Sequence, residues 1–190
     1  MKKRLFLPLW GFLALSFFAL TVPVSAQDSE SPTTEKKELP WEKMFPDGLL
    51  AKAAQKSDSA KKDALKRLNG KFVGIYHSAN WCGFCHVFTP QLIAFYKKNK
   101  KDFEVVFVSG DKTESQRRNY AKSSKMPWLA APLGKKNGAP TASGYPCLHV
   151  LTPEGKILTT ISGANTKENK DSRLHKDLRQ KMDDWLENNQ

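Results

Sequence analysis

Two cysteines one helical turn apart, in Trp81-Cys82-Gly83-Phe84-Cys85, limit what this chain can fold into more than any other feature. The apolar run Phe72-Val73-Gly74-Ile75-Tyr76 stands just before them. After them, Phe84, Val87, Phe88, Leu92, Phe95 and Tyr96 recur at helical spacing. The pair therefore falls at a strand-to-helix junction. A helix's first turn offers unpaired N–H groups and the positive end of the macrodipole, and both favour thiolate, the nucleophile in disulfide exchange. Cys82 reads as the attacking sulfur and Cys85 as the resolving one.

The chain opens with Lys2, Lys3 and Arg4, followed by a charge-free run over residues 5–24 and small residues at Val24-Ser25-Ala26. This is the pattern of a signal peptide, residues 1–26, with cleavage expected after Ala26. An uncleaved anchor competes with it because the run is nearly long enough to span a bilayer. Pro8, Pro23 and the cleavage pattern favour removal, so membrane contact is expected only transiently. Losing three bases and no acid lowers the formal charge from +12 to +9. The remaining basic residues lie among acids or at helix ends, as on solvated faces. They lack interleaved aromatics and match no nucleic-acid reader, so no nucleic-acid partner is expected.

Residues 27–40 are polar, contain Pro32 and Pro40, and offer little to bury, which predicts a disordered linker. From residue 41 onward Trp41, Met44, Phe45, Leu49, Leu50 and Ala53, then Ala60, Ala64, Leu65 and Leu68, follow helix-like spacing and predict an N-terminal helical extension. The rest reads β-α-β-α-β-β-α: strand 71–77, helix 84–98, strand 103–109, helix 113–125, a loop over 126–144, a hairpin formed by 145–151 and 156–162, and a terminal helix with Leu174, Leu178, Met182, Trp185 and Leu186 on its apolar stripe. The long first crossover implies a parallel strand pair with a right-handed connection.

This order, with Trp-Cys-x-x-Cys after the first core strand, resembles the thioredoxin-like superfamily. Pro90 stands five residues beyond Cys85, where thioredoxins carry a helix proline, and Tyr145-Pro146 falls where the family has its cis-proline. The runs at 103–109 and 125–132 are similar to those of tryparedoxins and nucleoredoxins. The resemblance implies an α/β thioredoxin fold over residues 41–190, with a central mixed four-stranded sheet flanked by helices. It also implies a monomeric thiol-disulfide oxidoreductase that serves protein disulfide or dithiol substrates, draws on an upstream electron donor and uses no cofactor or metal. With the leader this reads as an exported enzyme, and reduction is the direction expected in preference to oxidation. Cys82 and Cys85 would be catalytic, and Trp81, Tyr145 and Pro146 would bind substrate. Proline has no N–H, so a strand beginning at Pro146 leaves the backbone of Tyr145 open to an extended partner. Trp81 is expected on the apolar rim around the sulfurs, with Trp128 either on the far side or in the core. A periplasmic or secreted location follows from the leader.

Three departures from thioredoxin stand out. Tyr76 occupies the place, six residues before the attacking cysteine, where thioredoxins bury an aspartate. Proton transfer from Cys85 would then fall to His86, to His77 or to water. Gly83-Phe84 between the cysteines leaves the direction of electron flow open. Cys147, the third cysteine, follows Pro146 and is expected to be buried in the sheet as a small apolar group. Other chemistries share the spacing. Cys82 to His86 matches a c-type haem attachment signature, and the disulfide could also be a staple in a non-catalytic binding module. A closed zinc site would need four ligands, and only one Cys-x-x-Cys pair exists.

Overall fold

The structure, a computed structural model, describes residues 40–162 and 171–189. The expected leader and nearly all of the linker lie outside that range, as does the side chain of Leu174. Strand β1 (Phe72–Ser78) is buried along its whole length. It pairs in parallel with β2 (Phe103–Ser109), from Phe72 opposite Phe103 to Ser78 opposite Ser109, and antiparallel with β4 (Cys147–Leu151). Helix α2 (Gly83–Asn99) connects β1 to β2. Helix α3 (Glu114–Ser123), begun by a reciprocal capping box between Thr113 and Gln116, leads from β2 to β3 (Leu129–Ala130). Strand β5 (Ile157–Ser162) closes a hairpin with β4, and α4 (Asp171–Asn188) ends the fold. The sheet order is β3-β2-β1-β4-β5.

Successive strand residues face opposite sides of the sheet. Phe72, Tyr76, Phe103, Val105, Phe107, Leu148 and Val150 join Phe88, Leu92 and Phe95 of α2, Tyr120 and Ala121 of α3, and Leu178 and Met182 of α4. On the other side Val73, Ile75, Val106, Leu129 and Leu151 join Trp41, Phe45, Leu49, Leu65 and Leu68 from the chain preceding β1. That second layer explains why β1 reads as an unbroken apolar run. Gly74 sits where the sheet is tightly packed: a Cβ there would come 2.8 Å from the Phe103 ring and 3.0 Å from a Leu148 methyl.

The expected helical extension is present, in three short pieces rather than as continuous α-helix. One helical turn, α1 (Pro40–Met44), stops before Pro46, whose ring disfavours helical backbone at Phe45. Leu49 and Leu50 then make bridges to Lys61 and Ala130. The carbonyls of Ala53 and Gln55 accept from the buried guanidinium of Arg117, and that of Ala54 from Arg118. With these carbonyls taken by α3 side chains, residues 52–55 make a single turn, Gln55 N–H to the Lys52 carbonyl at 3.0 Å, and go no further as a helix. A short 3-10 helix at Ser57–Ser59 follows, then a longer one at Lys62–Leu68. The second presents Leu65 and Leu68, one tight turn apart, to the core. The helix-like spacing of the apolar residues thus reports the sheet face they cover.

The sheet has one strand more than the expected four. The additional strand, β3, lies inside residues 126–144, read above as a loop, and pairs Leu129 and Ala130 with Val106 and Phe107. Trp128 is fully buried, edge-on to Tyr76 and Tyr96, and belongs to the core. Among the described residues no helix is long and apolar enough to cross a membrane.

Candidate active site

Strand β1 delivers the chain into the tight turn Ala79-Asn80-Trp81, closed by Cys82 N–H donating to the Ala79 carbonyl at 3.1 Å. Cys82 is the N-cap of α2, with extended backbone angles, and its sulfur accepts the Cys85 backbone N–H at 3.1 Å. The same N–H also donates to the Cys82 carbonyl at 3.0 Å, so this first-turn donor is shared between a backbone oxygen and the N-cap sulfur. Cys82 and Cys85 stand as a disulfide with Cα atoms 5.2 Å apart. Cys82 keeps 6% of its surface exposed and Cys85 keeps 0%. An incoming group can therefore meet only the first sulfur.

The turn before Cys82 is held from two sides. The buried Asp111 carboxylate accepts the Asn80 N–H at 2.8 Å and the Ser109 hydroxyl at 2.8 Å. The Asn80 carbonyl in turn accepts from Nε2 of His86 at 2.7 Å, which fixes a proton on that nitrogen. The His86 ring rests edge-on against Tyr120, 4.9 Å between centroids. His86 thus braces the turn, with its Nε2 proton directed at a carbonyl.

Beneath the pair lies a group of hydroxyls where a carboxylate was absent from the sequence. Thr89 Oγ1 donates to the Cys85 carbonyl at 2.8 Å. With its one proton so used, Thr89 accepts from Tyr76 at 2.8 Å and from Tyr120 at 2.8 Å, and Tyr120 in turn accepts from Ser78 at 2.9 Å. Burial, and after it the neighbouring Tyr120, push the Tyr76 phenol far above the ordinary tyrosine range, so it stays protonated. Ser78, Thr89 and Tyr120 carried no local sequence signal. Thr89 beside Pro90, on the inward side of α2, is the nearest thing to one.

The Tyr145–Pro146 peptide bond is cis. Trp81, 61% exposed, stands edge-on to the half-buried Tyr145 with centroids 5.4 Å apart, and its Nε1–H donates to the Gly110 carbonyl at 3.3 Å. The neighbour of Cys82 thus touches the neighbour of Pro146, which brings Trp81, Tyr145 and the cysteine pair to one end of the sheet. Phe84 and Val87, in the first turns of α2, are also exposed apolar side chains.

Cys147 is buried, as expected for a sheet cysteine, and burial pushes its thiol up. Its sulfur lies 3.4 Å from His149 Nε2, and in the strand register it faces His77. His77 donates through Nε2 to the Pro140 carbonyl and belongs to this cluster, away from Thr89 and Cys85. Among the described residues no three His, Cys, Asp or Glu side chains converge as a metal site. The haem alternative is poorly served by this geometry, because Cys85 has no exposed surface.

Residues 69–157 match a family described as thioredoxin-like. Mouse nucleoredoxin is 36% identical over 115 residues, which cover 56% of this chain and 26% of that protein. The tryparedoxin of Trypanosoma brucei brucei is 43% identical over 91 residues, covering 47% of this chain and 57% of the relative. The chain spans between 11% and 29% of the length of the nucleoredoxins it matches. Among solved structures, tryparedoxin II of C. fasciculata is 34% identical with a TM-score of 0.55, covering 68% of this chain and 88% of that one. Tryparedoxin from Trypanosoma brucei is 36% identical with a TM-score of 0.50, covering 68% and 91%. With a cis-proline and a Cys82–Cys85 pair at a helix N-terminus, both inside the matched residues 69–157, and a solved tryparedoxin 34% identical of which this chain covers 88%, the chain belongs to the thioredoxin superfamily.

Proposed function

We propose that this protein is an exported thiol-disulfide oxidoreductase that reduces protein disulfides through Cys82 and Cys85. The observation that carries this reading is the Cys85 N–H held on the Cys82 sulfur at the helix N-terminus, because an amide aimed at sulfur favours the thiolate over the thiol. Reduced Cys82 attacks one sulfur of the substrate disulfide, forming a mixed disulfide and releasing the other sulfur as a thiolate that takes up a proton. Cys85 then loses its proton and attacks the Cys82 sulfur, expelling the second substrate thiolate. The substrate gains two electrons and the protein is left as the Cys82–Cys85 disulfide. A donor dithiol returns it to the reduced state by the same two exchanges in reverse. Trp81, Tyr145 and Pro146 line the approach of an extended substrate segment, and His86 steadies the turn that carries Cys82. Export to a periplasmic or extracellular space rests on the basic-then-apolar leader and the Val24-Ser25-Ala26 site.

The test is insulin reduction with dithiothreitol as donor. Cys82→Ser is expected to abolish turnover, and Cys85→Ser to accumulate a covalent mixed disulfide with substrate that excess thiol releases. Covalent capture by the Cys82 variant, and none by the Cys85 variant, would reverse the assigned roles. A wild-type protein no better than dithiothreitol alone would leave the pair as a structural staple.

A further inference from the structure

We propose that Gly110 is a positioning residue for the substrate cleft, whose missing side chain lets Tyr145 stand against Trp81. This rests on the reading of Trp81 and Tyr145 as substrate-facing residues. Gly110 lies just past β2, and its φ is outside the left-handed region, so the backbone there admits any residue. What excludes a larger one is Tyr145. A Cβ on residue 110 would fall 2.5 Å from the phenol oxygen, 2.6 Å from Cζ and 3.0 Å from Cε1. The loop itself cannot yield easily. Gly110 N–H is bonded to the Ser78 carbonyl at 2.9 Å, its own carbonyl accepts Trp81 Nε1–H, and the next residue, Asp111, grips Asn80.

One residue therefore contacts both aromatic walls, Trp81 through a hydrogen bond and Tyr145 through an absent methyl. An alanine at 110 pushes on the outer end of a half-buried ring that has two rotatable bonds, so the ring swings while the fold stays. Trp81 then loses its edge contact, and the approach to Cys82 between residues 81 and 145 changes shape. The sulfur chemistry, set by the α2 N-terminus on the other side of Trp81, is untouched.

The experiment compares wild type, Gly110→Ala, Tyr145→Ala and the double variant. Four quantities are measured: KM and kcat for insulin reduction, the rate of Cys82 alkylation by iodoacetamide in the reduced protein, the melting temperature, and acrylamide quenching of tryptophan fluorescence. Gly110→Ala is expected to raise KM about tenfold while kcat and alkylation stay within about twofold of wild type. It should also increase quenching, since the other described tryptophans are buried or packed against the core. In the Tyr145→Ala background the same substitution should change neither KM nor quenching, because there is no ring to displace. An unchanged KM in the single variant, or an equal effect in both backgrounds, overturns the proposal. If Gly110→Ala fails to fold, folding restored in the double variant supports it and failure in both overturns it. An inactive wild type would sink the functional reading alone, and the quenching comparison would still decide the geometry.

Discussion

The Cys85 backbone N–H lies 3.1 Å from the Cys82 sulfur, and the two residues differ in access, Cys82 touching solvent and Cys85 not. In the reduced protein these facts rank the three thiols. Cys82 has both a surface and an amide donor, Cys85 has no surface, and Cys147 is buried with its thiol pushed up. Iodoacetamide at neutral pH, followed by peptide mass mapping, should label Cys82 first and faster than free cysteine. Cys147 should be labelled only on unfolding. Early labelling of Cys147 would show that β4 opens in the native state.

Thr89 bonds Tyr76, Tyr120 and the Cys85 carbonyl together, and among the described residues it is the only side chain that does so. Thr89→Val keeps the shape and strands at least one buried phenol, at a cost of about 2 kcal/mol. Tyr76→Phe removes a donor and leaves Thr89 still bonded to Tyr120, which should cost only about 1 kcal/mol. Urea unfolding of the two variants measures the difference. Equal costs would place the centre of the network elsewhere.

Gly74 tests how closely the central strand is packed. Its added methyl would press on the Phe103 ring and on Leu148, which belong to the neighbouring strands on either side. Overpacking of this kind costs about 1–3 kcal/mol. Gly74→Ala should lower the urea midpoint by a corresponding amount with an unchanged m-value. A neutral result would mean that the sheet relaxes around the extra carbon.

The elements around the cysteines were legible because each has a local cause. An apolar run, a cysteine at a helix start and apolar residues every three to four positions are contained within residues 72–96, and the structure puts β1 and α2 there. The strand after Tyr145-Pro146 was legible too, although it begins at Cys147 and leaves those two residues in the bend before it. What was not legible depends on distant partners. The Ala53 and Gln55 carbonyls go to Arg117, more than sixty residues later, so a helix-like pattern covers a sheet face without being one continuous helix. Strand β3 is two residues long, too short for alternation to register. Thr89 and Tyr120 meet only because α2 and α3 lie on the same side of the sheet. The aspartate missing at position 76 was visible, whereas the hydroxyl group that fills its place was not.

His77 gives the fold a dependence on pH whose sign can be worked out. It is buried, its Nε2–H donates to the Pro140 carbonyl at 2.8 Å, and its ring meets that of His149 edge-on at 5.6 Å. Burial holds its pKa below the ordinary 6.5; the Pro140 carbonyl opposes this and nearby His149 adds to it. The folded protein therefore keeps this ring neutral at a pH where the unfolded chain has already taken up a proton. Stability from the neutral ring is fully present above pH 6.5 and is lost as pH falls from there through the lower, folded-state value. Melting temperature should be flat between about pH 8 and 7 and then decline towards about pH 5. His77→Gln keeps a donor for the Pro140 carbonyl but cannot titrate, so its decline should be shallower. Calorimetry of both proteins at constant ionic strength makes the comparison. Parallel declines would mean that another group takes up the proton.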